Sequence, residues 1–115
     1  MATVLCVGVD EQLVLTRVYI LENAGHRVVP AKNEPEVLAA CAENKFQVAV
    51  IGQMISPAGK LRIHQLIRQH CPGAKILELY TVTRERVLTG ADAWLLVPTQ
   101  VPSDLADHVQ ALAAS

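Results

Sequence analysis

Aromatic side chains are almost missing from this 115-residue chain, which carries one tryptophan, one phenylalanine and two tyrosines. With a formal net charge of -1 it has neither a stacking platform for bases nor a positive field for phosphates, and direct nucleic-acid binding is not expected. Cysteine is scarce as well: Cys6, Cys41 and Cys71 are odd in number and lack a C-x-x-C spacing. No zinc site or disulfide framework follows, and reduced, mostly buried thiols in a cytoplasmic protein are the expectation. His70 beside Cys71 has no second pair, and adjacent side chains near a helix end diverge, so no metal is expected there. The chain also has no G-x-G-x-x-G, Walker-type or G-x-S-x-G motif. No apolar run approaches membrane-spanning length, and no basic region with a cleavage site precedes "TVLCVGV". The reading is a soluble cytoplasmic protein without a membrane partner.

What is present is apolar and regularly patterned. Apolar residues make up 51% and charged residues 18%, enough for one well-buried core spanning residues 1–115 and not for two. "TVLCVGV" (3–9), "HRVVPA" (26–31), "FQVAVIG" (46–52), "KILELY" (75–80) and "AWLLVP" (93–98) read as strands. Between them lie helical patterns: Asp10 to Ala24 with Val14, Val18 and Leu21 on one face, then a helix opened by Asn33, Pro35 and Glu36. Val37, Leu38, Cys41 and Ala42 form the apolar side of that second helix. A third runs from about Lys60 to His70 with Ile63, Leu66 and Ile67 inward, and the last follows Ser103 with Leu105, Val109 and Leu112 at helical spacing. Strands joined by helices in this way need right-handed crossovers, which gives an α/β fold with a doubly wound parallel sheet and helices on both faces.

The stretch "QVAVIGQMISP" frames a strand end and a loop proline around Gly52, a residue with no side chain to present. Together with "ENAGHRVVPAKNEPEVLAACAENKFQVAVI" and "GADAWLLVP", it resembles the receiver domain of response regulators, the CheY-like, flavodoxin-like module of two-component and phosphorelay signalling. The resemblance covers essentially the whole chain. It implies five strands in the order 2-1-3-4-5 and a phosphoacceptor aspartate at the end of the third strand. It further implies an acidic pair after the first strand that helps hold a divalent metal, a hydroxyl after the fourth and a lysine before the proline of the fifth. Hard magnesium prefers carboxylate oxygens, and the transferred phosphoryl group needs a fixed cation.

Carried onto this chain, those places fall on Gly52, on Gly8 and Val9, on Tyr80 and on Val97. Gln53, beside Gly52, offers only an amide, which is a poor nucleophile. Asp10 and Glu11 suit the start of a helix, where acids cap free N–H groups and offset the dipole. The resemblance therefore implies a degenerate pseudo-receiver, with no catalytic residue, no phosphoacceptor, no metal and no cofactor, rather than an enzyme. An alternative from another class is a small-ligand domain that uses room opened by Gly8 and Gly52 at the first and third strand ends.

Only "TVTRERVLT" separates Tyr80 from Gly90, so the fourth helix is expected to be shortened relative to the family pattern. That would leave an apolar edge strand without a charged guard. Trp94, Leu96, Arg84 and Val87 are the expected interaction surface, shared with the last helix, for a protein partner or a second copy. Trp94 reads equally as the family's coupling aromatic and as an ordinary packing residue. Lys60, Arg62 and Arg68 read as the solvated face of the third helix.

Overall fold

The computed structural model describes all 115 residues. Five parallel strands, β1 (Thr3–Val7), β2 (Arg27–Ala31), β3 (Val48–Ile51), β4 (Lys75–Tyr80) and β5 (Ala93–Leu96), form one sheet in the order β2-β1-β3-β4-β5. The helices are α1 (Glu11–Asn23), α2 (Glu34–Glu43), α3 (Pro57–His70) and α4 (Asp104–Ala114). Alternation along the strands divides the core. Val4, Cys6, Val50, Leu77, Leu79 and Leu95 pack against α1 and α4, while Leu5, Val7, Ala49, Ile51 and Ile76 pack against α2 and α3. Burying each such aliphatic side chain contributes about 1.5–3 kcal/mol, so the two layers supply most of the driving force.

The helix starts follow local chemistry. Asp10 accepts from the Leu13 N–H at 3.2 Å, and Asn33 accepts from the Glu36 N–H at 2.9 Å. The Glu36 carboxylate reaches back to the Lys32 N–H at 3.0 Å. Helix α3 starts a turn earlier than expected because Ser56 caps it, accepting from the Gly59 N–H at 3.1 Å, with Pro57 in the first turn. Just past the end of α1, after Ala24, stands Gly25, whose φ of +94° is one that other residues rarely adopt. Ser103 precedes α4 as expected but makes no side-chain cap bond. On α2, Val37 and Ala40 are buried, whereas Leu38 and Ala42 face outward.

Two expectations fail here. No helix, shortened or otherwise, joins β4 to β5; residues 81–92 cross in turns and irregular backbone. Thr81, Val82, Thr83, Val87 and Thr89 are β-branched, which weakens helix formation, and the Thr81 hydroxyl accepts the Arg84 N–H at 2.9 Å in a local turn instead. The thiol reading fails too. The C-terminal ends of α2 and α3 lie side by side, with a Cα–Cα distance of 5.7 Å, and Cys41 and Cys71 form a disulfide. Cys6 alone is free, and buried as expected.

His26 ties the chain start to the α1–β2 turn: its Nδ1 accepts the Ala2 N–H at 3.1 Å. Burial, then the positive amino terminus, push its pKa below the ordinary 6.5. The unfolded chain therefore binds the proton more readily, and His26 should cost stability as pH falls from about 6.5 toward the lowered folded value. Thermal melts between pH 7.5 and pH 5, in about half-unit steps, should show this decline. His26→Gln, which can accept the same N–H without titrating, should flatten it. Parallel slopes in both proteins would remove His26 as the cause.

Candidate functional site

At the C-terminal edge of the sheet, β1 and β3 end side by side, and the Gly52 N–H donates to Val7 O at 2.9 Å. Gly8 and Gly52 are brought together there, and neither leaves open room. A Cβ on Gly8 would lie 2.7 Å from Val14 Cγ2, and one on Gly52 would lie 3.0 Å from Val7 O and 3.2 Å from Arg17 Nη1. Each glycine is required by close approach, so the space expected for a ligand between them is filled. A cleft of about 290 Å³ opens instead on the β2 side, lined in part by Gly8, Val9, Lys32 and Glu36. Val9 is exposed, and Asp10 is engaged as the α1 cap.

The group beside Gly52 is a guanidinium. Arg17, on α1, is only 8% exposed, and its Nη2 donates to Gln53 Oε1 at 2.5 Å. No carboxylate lies within ion-pair distance of it. Burial pulls its pKa down, with partial opposition from Cys6 and Asp10. The same burial pushes the Cys6 thiol up to about 11 against the pull of Arg17, so that thiol is neutral at pH 7. The apolar face read from the sequence, Val14, Val18 and Leu21, did not include Arg17. A signal was nonetheless there: positions 14, 17, 18 and 21 form one helical stripe, and Arg17 is inside it.

Tyr80 and Val97 also meet, since the Val97 N–H donates to Tyr80 O at 2.8 Å. Next to them lies an ion pair that contradicts the solvated reading of Lys60. Its side chain is 2% exposed; Nζ donates to Glu78 Oε2 at 2.8 Å and to Leu79 O at 2.9 Å. Glu78, fully buried on β4, accepts in addition from the Val87 N–H at 2.8 Å and the Leu88 N–H at 2.9 Å. Arg62 and Arg68 do lie nearer the surface, paired with Glu34 and Asp92. The Lys60–Glu78 pair fixes the segment that stands in for a helix.

Of the expected surface residues, Trp94 is half-buried and donates through Nε1 to Leu88 O at 3.0 Å. Leu96 is 45% exposed, Arg84 is exposed, and Val87 is half-buried with its N–H bound to Glu78. The edge is not unguarded, however. The Arg86 guanidinium lies 5.3 Å from the Trp94 ring centroid and 5.6 Å from that of Tyr80, a double cation–π contact the sequence reading missed.

This architecture recurs in known proteins. A response regulator from Thermotoga maritima superposes with a TM-score of 0.81 at 23% identity, over 98% of both chains. The chain has the receiver-domain fold. A CheY-like receiver domain protein from Methanospirillum hungatei superposes at 0.83 with 21% identity, covering 99% of this chain and 94% of that one. A protein described as adenylate cyclase from Rhodopirellula baltica gives 0.81 at 23% identity, covering 97% and 87%. No family model and no curated protein matches the sequence. No helix is long and apolar enough to cross a membrane, and no three His, Cys, Asp or Glu side chains converge as metal ligands.

Proposed function

We propose that the chain is a degenerate receiver that acts as a phosphorylation-independent protein-interaction module in two-component signalling, without enzymatic activity. The observation that carries this reading is Arg17. Its buried guanidinium occupies the surroundings of Gly52, where a receiver would set its acceptor carboxylate and a divalent cation. A fixed cation there repels metal, and no acidic residue stands between Gln47 and Lys60 to replace the nucleophile. Fold alone does not fix function, so no cyclase activity is carried over from the Rhodopirellula likeness. The cytoplasmic setting goes with the receiver resemblance; with Cys41 and Cys71 paired, the cysteines no longer argue for it.

The docking surface we assign comprises Tyr80, Arg86, Trp94 and Leu96, at the free edge of the sheet beside α4, and its occupant is a protein partner or a second copy. One paired experiment tests the reading. Incubation with acetyl phosphate and magnesium should leave the intact mass unchanged. A hydroxylamine-labile phosphate adduct would refute the degenerate assignment. In the other arm, light scattering on the wild type and Trp94→Glu should show self-association in the first and its loss in the second, with circular dichroism unchanged. Equal association in both would remove this edge as the interface between copies.

A further inference from the structure

Between α1 and the loop from β5 into α4 lies a cleft of about 400 Å³, within the range of about 300–1,000 Å³ common for small-molecule sites. Its walls are largely apolar, contributed by Leu13, Ile20, Leu79, Val97, Pro102 and Leu105 among others. Arg17 is the one ionisable residue lining it. Of the guanidinium nitrogens, Nη2 alone makes a hydrogen bond, to Gln53, while Nη1 and Nε bond to no protein group. Gln53, 9% exposed, spends its Oε1 on Arg17 and leaves Nε2 without a protein acceptor. The Thr99 hydroxyl, also on the lining, makes no bond within the chain. The cleft thus carries one positive charge with no carboxylate paired to it.

Arg17 Nη1 and Nε and Gln53 Nε2 are not sealed from solvent, so an anion entering the cleft can reach them, and a largely buried guanidinium that has only one amide oxygen as partner gains from a counter-ion. We propose that this cleft is a binding site for a small monocarboxylate with an apolar body, whose carboxylate pairs with Arg17 and the Gln53 amide while its hydrocarbon lies against Leu13, Ile20 and Val97. The charge count selects the ligand class: one cation balances one negative charge, whereas a phosphate dianion would be left half-compensated. Guanidinium also matches the planar, two-oxygen geometry of a carboxylate. The site shares no lining residue with the cleft at Gly8 or with the docking residues Tyr80, Arg86, Trp94 and Leu96.

Benzoate is a suitable probe and benzamide its neutral isostere. In amide-resolved NMR titrations of the full chain at constant ionic strength, benzoate should cause saturable shifts at Thr16, Arg17, Gln53, Val97, Thr99 and Leu105. Benzamide should bind at least tenfold more weakly. Arg17→Met should lose that preference for the anion. Should Arg17→Met fail to fold, the benzoate-to-benzamide ratio on the wild type still decides. Equal affinities, shifts centred elsewhere, or no saturation by benzoate would each overturn the proposal. Acetyl phosphate chemistry and self-association are read separately, so failure here leaves the interaction reading standing and the converse holds too.

Discussion

Glu78→Gln should be among the most damaging single substitutions in this protein, costing about 3–5 kcal/mol, the usual penalty for removing one partner of a buried ion pair. The carboxylate meets the Lys60 ammonium and the N–H groups of Val87 and Leu88, all inside the fold. An amide at that place keeps one oxygen but turns an NH2 toward one of these donors, so Lys60 loses its counter-charge and a backbone N–H loses its acceptor. At about 4 °C per kcal/mol for a domain of this size, the melting temperature should fall by roughly 12–20 °C.

Lys60→Met should cost less than Glu78→Gln. It leaves the carboxylate with two backbone donors, whereas Glu78→Gln leaves the ammonium with neutral oxygens alone, that of Leu79 and at most one amide oxygen. The double variant Lys60→Met with Glu78→Leu removes both charges yet should not recover wild-type stability, because each orphaned N–H costs about 1–3 kcal/mol. Hydrogen exchange supplies the local readout: the Val87 and Leu88 amides should be protected in the wild type and exposed in Glu78→Gln. A melting temperature within about 3 °C of the wild type, which is under 1 kcal/mol, would mean that the pair does not hold residues 81–92.

Most of the architecture was legible because it depends on period and punctuation. A strand such as "KILELY" declares itself by β-branched and aliphatic content, and Gly25 and Asn33 mark helix ends by chemistry local to their own turns. What escaped depends on who meets whom. Glu78 is a carboxylate inside an apolar strand, so a partner was demanded by physics; that the partner is Lys60, on a neighbouring helix, is a tertiary fact. Arg17 belonged to a visible apolar stripe, but its place beside Gly52 depends on how α1 leans over β1 and β3. The linkage of Cys41 to Cys71 depends likewise on two helix ends meeting. The missing helix was half legible: its shortness could be counted, while its replacement by a strap tied to Glu78 could not.

Reduction of the Cys41–Cys71 bond should have the second large effect. The bridge spans a sequence separation of 30, and closing a loop of that length removes chain entropy from the unfolded state worth between about 3 and 4 kcal/mol. Its place at the joined ends of α2 and α3 means that the loop it closes contains β3 and most of the α2–α3 layer. Both cysteines line an open cleft of about 710 Å³ at the N-terminal edge of the sheet, so a small thiol reductant can reach them without unfolding the chain. Dithiothreitol should therefore lower the melting temperature by roughly 12–16 °C. Cys41→Ser should reproduce the drop without reductant and show no further response to it. Thiol titration in denaturant should find Cys6 alone in the oxidised protein and all three cysteines after reduction. The docking edge lies at β5, across the sheet from β2 and outside the closed loop, so self-association should survive reduction at temperatures well below the melt. If air-purified protein carries three free thiols and its melt ignores reductant, the pairing does not form, and the sequence-based expectation of reduced cysteines stands.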